Sequence, residues 1–235
     1  MELKPRILSV VTVIGMLTLM ILFAMKHDSD SKVQEYSPDT ESNRGVMAWL
    51  VDFTNRNYNA CDSMLESDSD KLYSSQVVMM MNDQSYYTAA LDGLVNCISA
   101  IQVKSIQRDT DTGIVSYTVS VVYTPYEQVG DLVYDTGALD EAKKNYENGK
   151  ISDAEFQSEL SRVYFEIFNE NCFIEGDSTR QQDLVLSEKE INGVTYVYNT
   201  VSFVDSLLSD SNLKFNLSCY EKDVKSKVEN IIKAD

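Results

Sequence analysis

The sequence predicts an α+β domain held behind one membrane-spanning helix, and three observations on the 235-residue chain carry that reading. An uncharged apolar run fills residues 7–25. Apolar residues recur with a helical period over 46–66, 85–100, 138–172 and 221–233. They recur with a period of two over 103–124 and 183–203.

The apolar run ILSVVTVIGMLTLMILFAM is 19 residues long. As a helix it extends roughly 28 Å, close to the hydrocarbon thickness of a bilayer. Lys4 and Arg6 precede it, whereas Asp28 and Asp30 follow soon after Lys26 and His27. Positive flanks stay cytoplasmic, which predicts a cytoplasmic tail at 1–6 and a domain on the far side of the membrane. A cleaved signal is the alternative, but Leu22 stands where a site ending at Ala24 needs a small residue. Both readings export the domain. Residues 26–44 are polar, contain a Ser-Pro turn signal and lack an apolar period, as a linker does. The extracytoplasmic domain is then expected over 45–235.

In GVMAWLVDFTNRNYNACDSMLES, residues Val46, Trp49, Leu50, Phe53, Cys61 and Leu65 form one stripe of a helix about twenty residues long. A less regular helical region is expected from Lys71 to Met81. Another helix, from Ser85 to Ala100, carries Tyr87, Leu91, Leu94, Val95 and Ile98. The period then changes. Val103–Arg108 reads as a strand, Asp109–Gly113 as a turn and Ile114–Thr124 as a longer strand. Val115, Tyr117, Val119, Val121 and Tyr123 fall on one face of it, with Ser116, Thr118 and Ser120 opposite. A helical hairpin is expected at 138–172, broken at Asn148-Gly149 and restarted by a Ser152/Glu155 capping box. Asn192-Gly193 joins two strands at 183–191 and 194–203. A short helix near Val204–Ser209, a strand-like Leu213–Cys219 and a closing helix at Glu221–Lys233 complete the chain.

The helix 46–66 followed by the hairpins 102–124 and 183–203 resembles the cystatin-like α+β cone of the nuclear-transport-factor-2-like superfamily. That resemblance implies a curved antiparallel sheet packed on helices, with 138–172 as an inserted hairpin. Such domains follow one membrane anchor in Gram-positive conjugation and type IV secretion assembly proteins. The segment NGKISDAEF is also similar to the short SHOCT-type helical hairpin of bacterial proteins. Neither likeness contributes a motif whose functional residues transfer to this chain.

Charge and chemistry exclude several classes. The formal net charge is −17, and from residue 28 onward 17 basic residues stand against 36 acidic ones. A surface of this kind repels nucleic-acid phosphates and anionic lipid headgroups, so no nucleic-acid partner is expected. His27 is the single histidine and lies in the linker, which removes Ser-His and Cys-His catalysis. Asp109, Asp111 and Gly113 fail as a calcium loop, because Ile114 and Ser120 occupy the sixth and twelfth positions. No glycine-rich phosphate loop occurs.

Cys61, Cys97, Cys172 and Cys219 make an even count, which on an exported domain favours disulfides. Three pairings exist. Cys61–Cys97 with Cys172–Cys219 is preferred because each pair joins neighbouring elements. The spacings of 36, 75 and 47 residues argue against zinc, and no metal or cofactor is expected. Phe156, Tyr164 and Phe168 on the hairpin are candidates for an interaction surface. Tyr117, Tyr123, Tyr196 and Tyr198 are candidates for lining a cavity, and Met79-Met80-Met81 reads as buried. Asn216-Leu217-Ser218 is a single glycosylation sequon. Together these features lead to the expectation of a non-enzymatic module tethered to the membrane and contacting envelope proteins. A ligand-binding or weakly enzymatic cone with a Tyr/Asp-lined cavity is the alternative.

Overall fold

The computed structural model describes residues 44–68, 71–72 and 84–233. The anchor at 7–25, its flanks, the linker up to residue 43, His27 and Met79–Met81 lie outside those residues. Among the described residues, no helix is long and apolar enough to cross a membrane.

The fold is α+β, with one four-stranded antiparallel sheet in the order β1-β2-β3-β4. The elements are α1 (Val46–Thr54), α2 (Tyr58–Ser63), α3 (Gln84–Cys97), β1 (Ile98–Arg108), β2 (Val115–Tyr123), α4 (Gly137–Glu147) and α5 (Asp153–Cys172). They continue with β3 (Arg180–Ile191), β4 (Val194–Tyr198), α6 (Thr200–Asp210) and α7 (Leu213–Cys219). A π-helical turn at Tyr220–Lys225 leads into α8 (Ser226–Lys233). The described residues divide into two compact units: one holds those up to Thr124 together with Ser178–Leu207, the other Pro125–Asp177 with the described residues from Leu208 onward.

In the first unit the sheet register sorts side chains by face. Val115, Tyr117, Val119 and Val121 stand opposite Glu188, Leu186, Leu184 and Gln182 across β2–β3. Val103 and Ile101 continue the row on β1, and Val197 does so on β4. This face is buried along β2; the alternation expected there holds from Val115 to Val119 and is interrupted at Ser120, which is 4% exposed. β1 forms one edge and carries two irregularities, between Ile98 and Ala100 and between Val103 and Ser105. Bulges of this kind twist an edge away from pairing with another chain.

The expected helix of twenty residues is two helices, α1 and α2, separated at Asn55–Asn57. Arg56 there takes a left-handed backbone, φ 62°. Thr54 Oγ1 bonds back to the carbonyls of Leu50 and Val51 at 3.0 Å, competing with continuation of the ladder. The reason for the break lies in the phase of burial. A continuous helix would carry the Trp49/Leu50/Phe53 stripe on to Asn57, whereas the break exposes Asn57 and brings Tyr58 inside beside Cys61.

The start of α1 depends on a distant carboxylate. Glu188 Oε2 accepts from Val46 N at 2.8 Å, and Glu188 Oε1 accepts from Tyr117 OH at 2.7 Å. Gly45 precedes it at φ 112°, and a Cβ there would stand 2.5 Å from Glu188 Oε2, so glycine is required at that position. Glu188→Ala is expected to lose about 1–3 kcal/mol by stranding a helix-start N–H and a buried hydroxyl. Glu188→Gln keeps an acceptor and should recover most of that loss in thermal melts. Equal melting of Glu188→Ala and the parent chain would contradict the assignment.

The second unit is helical. α4 and α5 form the expected hairpin. α4 ends before Gly149, which sits at φ 65°, and the Ser152/Glu155 capping box opens α5. Leu213–Cys219, expected as a strand, is the helix α7. The alternation Leu213, Phe215, Leu217, Cys219 suggested period two, but the buried positions are Leu213, Asn216, Leu217, Tyr220 and Val224, a helical series. α3 also ends three residues earlier than expected, and β4 ends at Tyr198, so that residues 200–203, expected as strand, begin α6. Ile98 starts β1, and Thr124 N bonds to Cys97 O at 2.9 Å as the sheet begins.

Candidate functional site

The residues singled out from sequence are distributed more widely than a single cavity allows. Tyr117 and Tyr123 lie on the buried face of β2, 8% and 0% exposed. Burial, with Glu188 second, pushes the Tyr117 hydroxyl well above its ordinary value, so it serves as a hydrogen-bond donor. Tyr196 and Tyr198 are on the opposite face of β4, since Lys189 and Ser187 are their partners in register. Arg44 lies over the Tyr196 ring at 5.9 Å, and Tyr198 OH donates to Glu66 at 2.6 Å. The four tyrosines therefore do not line one cavity.

The interaction-surface candidates also need correction. Phe156 and Phe168 are 7% and 0% exposed. Phe156 stacks on Tyr146 at 4.5 Å, and Phe168 meets Phe173 and Tyr220 edge-on. Tyr164 is half-buried, and its carbonyl accepts from Tyr220 OH at 2.9 Å. These aromatic residues form the core of the second unit, because α7 and the turn after it occupy the apolar stripe of α5. The aromatics with larger exposed areas there are Phe215, Tyr146 and Phe165, 45%, 39% and 37% exposed. An open groove is lined by Leu132, Val133, Tyr134, Lys227 and Ile231.

All four cysteines are thiols. Neither expected bridge, Cys61–Cys97 or Cys172–Cys219, is formed in this structure. Hydrogen bonds pair Arg56 with Asn96 and Tyr58 with Asp92, an antiparallel register that carries Cys61 away from Cys97. Each thiol instead faces a backbone carbonyl, that of Trp49 for Cys61 and that of Leu94 for Cys97. Burial raises both, Cys97 to about 12, so neither is a thiolate at neutral pH.

One polar cluster joins α2 and α3. Tyr58 OH donates to Asp92 Oδ1 at 2.7 Å, and Arg56 Nε lies 3.7 Å from the same oxygen. Burial first, then the Asp92 hydrogen bond, keeps the Tyr58 proton in place. This arrangement ties the strained Arg56 connection to α3. Among the described residues no group of His, Cys, Asp and Glu is placed to hold a metal ion.

The partly exposed face of the sheet has the most organised surface chemistry. Ser116, Thr118 and Ser120 on β2 meet Ser187, Val185 and Asp183 on β3, and Gln107, Ser105 and Gln102 on β1. Their side chains are bonded to one another. Ser105 donates to Thr118 at 3.0 Å, Ser116 and Ser187 lie 3.2 Å apart, and Gln181 donates to Ser120 at 2.9 Å. Lys104, in the second irregularity of β1, reaches Asp183 at 2.8 Å, and that contact holds the Asp183 carboxyl below the ordinary carboxylate range. Val185 is 50% exposed among these side chains, whereas the hydroxyls of Ser120 and Ser187 are buried beneath them, those residues being 4% and 7% exposed. Comparison with family models, curated proteins and solved structures finds no match for the chain. In an acidic chain the face is close to neutral, since Lys104 and Asp183 compensate each other, and its side chains are ordered by mutual bonds. From the sequence, Ser116, Thr118 and Ser120 were legible as a polar row. Their partners Ser105, Gln181 and Ser187 were not, because pairing register joins residues 13 positions apart across β1–β2 and 61–71 apart across β2–β3.

Proposed function

We propose that this chain is a non-enzymatic module, anchored by residues 7–25, that binds another protein of the cell envelope through the Ser/Thr/Gln/Tyr face of its sheet. The observation that carries the reading is the hydrogen-bonded hydroxyl and amide lattice on that face, with Val185 exposed at its centre and Tyr196 and Tyr198 at its side. Side chains already fixed by mutual bonds lose little entropy on association. Tyrosine and serine together supply amphipathic area and adaptable hydrogen bonds, as in antibody paratopes. Exported placement and the cystatin-like cone of the nuclear-transport-factor-2-like superfamily belong to the same reading. The charge asymmetry around 7–25 supports the first, and the helices-then-antiparallel-sheet order supports the second. Assembly roles of the conjugation and type IV secretion kind are the corresponding context.

The test places a photo-crosslinking residue at Val185 in the full-length, membrane-embedded protein, with a second position at Thr112 in the β1–β2 turn as control. A discrete adduct from position 185, absent from 112 and lost in a Thr118→Lys variant that melts like the parent chain, is the expected result. Equal capture from both positions, or capture insensitive to Thr118→Lys, would sink the proposal.

A further inference from the structure

We infer that Cys172 and Cys219 form one redox-active disulfide that staples α5 to α7, while Cys61 and Cys97 stay thiols.

The geometry distinguishes the two pairs. Cys172 ends α5, and its Sγ lies 3.8 Å from the carbonyl oxygen of Asn216 on α7. That carbonyl accepts from Tyr220 N, so it points along the helix axis toward the turn carrying Cys219. Cys219 stands three positions after Asn216, an axial rise of roughly 4.5 Å, which places the Cys172 sulfur against the turn where the Cys219 side chain is rooted. Asn216 Nδ2 holds the same approach from the other side, donating to Cys172 O at 3.1 Å. Cys219 also acts electrostatically on the Cys172 thiol, adding to the burial that pushes it up to about 12. Nothing comparable links Cys61 to Cys97, whose helices are registered apart.

Accessibility sets the order of events. Cys219 is half-buried and Cys172 fully buried. Cys219 therefore meets a small-molecule disulfide first. Its thiol loses a proton, the sulfur bonds to one sulfur of the oxidant, and the other leaves as a thiol. Cys172 then gives up its proton and displaces the second sulfur, forming the Cys172–Cys219 bond and releasing a second thiol. Two protein thiols are oxidised and one disulfide oxidant is reduced to two thiols.

The purified full-length chain in detergent, reduced and then equilibrated with oxidised glutathione, gives the test. After acid quench, alkylation in denaturant and non-reducing peptide mapping, the expected products are a Cys172–Cys219 linked peptide and alkylated Cys61 and Cys97. C219S should leave Cys172 alkylated, and the oxidised parent should melt several degrees above its reduced form. Four alkylated cysteines, a glutathione adduct persisting on Cys219, or a bridge containing Cys61 or Cys97 each overturns the inference. The oxidant is supplied in vitro, so the result does not depend on the side of the membrane or on any protein partner.

Discussion

Trp49→Ala is expected to destabilise the first unit by roughly 3–5 kcal/mol, the range for removing a large aromatic from a packed core. Trp49 is the single tryptophan and is 0% exposed. Its ring stacks on Phe53 at 5.1 Å and meets Phe203 edge-on at 5.7 Å. The substitution opens a cavity between α1 and α6 that these rigid rings cannot fill. Trp49→Phe should cost much less: it keeps an aromatic ring and removes an indole N–H that finds no acceptor among the described residues. Hydrogen exchange at the β2 amides, read beside thermal melting by circular dichroism, provides the measurement. Protection in Trp49→Ala equal to that of the parent chain would show that the cluster does not hold this unit.

Asn216→Ala should weaken the second unit by a similar amount, about 3–5 kcal/mol, through lost hydrogen bonds rather than lost apolar area. Asn216 is fully buried. Its Nδ2 donates to Glu127 O at 2.9 Å and to Cys172 O at 3.1 Å, and its Oδ1 accepts from Val129 N at 3.1 Å. Alanine leaves two carbonyls and an N–H without partners, each at about 1–3 kcal/mol, with incomplete additivity. Asn216→Asp keeps the acceptor for Val129 but turns negative oxygen toward two carbonyls, and should be at least as damaging. Faster exchange at Val129 and in α7 is the signature to seek. Unchanged exchange there would remove Asn216 from its bridging role. The same burial closes the Asn216 sequon to a glycan while the unit is folded.

Elements with local causes were legible in the sequence. Asn192-Gly193 turns between β3 and β4 at φ 54° and 80°, because those two residues accept left-handed backbone at low cost. The Ser152/Glu155 box starts α5 where its spacing indicates, and the alternation of β2 matches its burial at every position but Ser120. Misreadings arose where a polar residue is buried or an apolar pattern fits two periods. Asn216 hid the helical series of α7 because a buried asparagine looks like a solvent position until its three backbone partners are known. The α1–α2 break was hidden because Cys61 and Leu65 continue the stripe approximately, and only packing decides between one helix and two. Phe156 and Phe168 looked available because the sequence does not say which element covers an apolar face.

The sequence by itself determined the α+β class, the positions of the hairpins, the acidic surface and the apolar run at 7–25, since each follows from composition or from interactions within a few residues. Tertiary structure decided the rest. It set the cross-strand register that gathers Ser105, Thr118, Ser116 and Ser187 on one face, the Glu188 cap on α1, and the approach of Cys172 to the turn bearing Cys219. Each depends on contacts between residues tens of positions apart. Such contacts form only when the burial of many side chains outweighs the entropy of closing the chain between them, and no local pattern records which partner that closure selects.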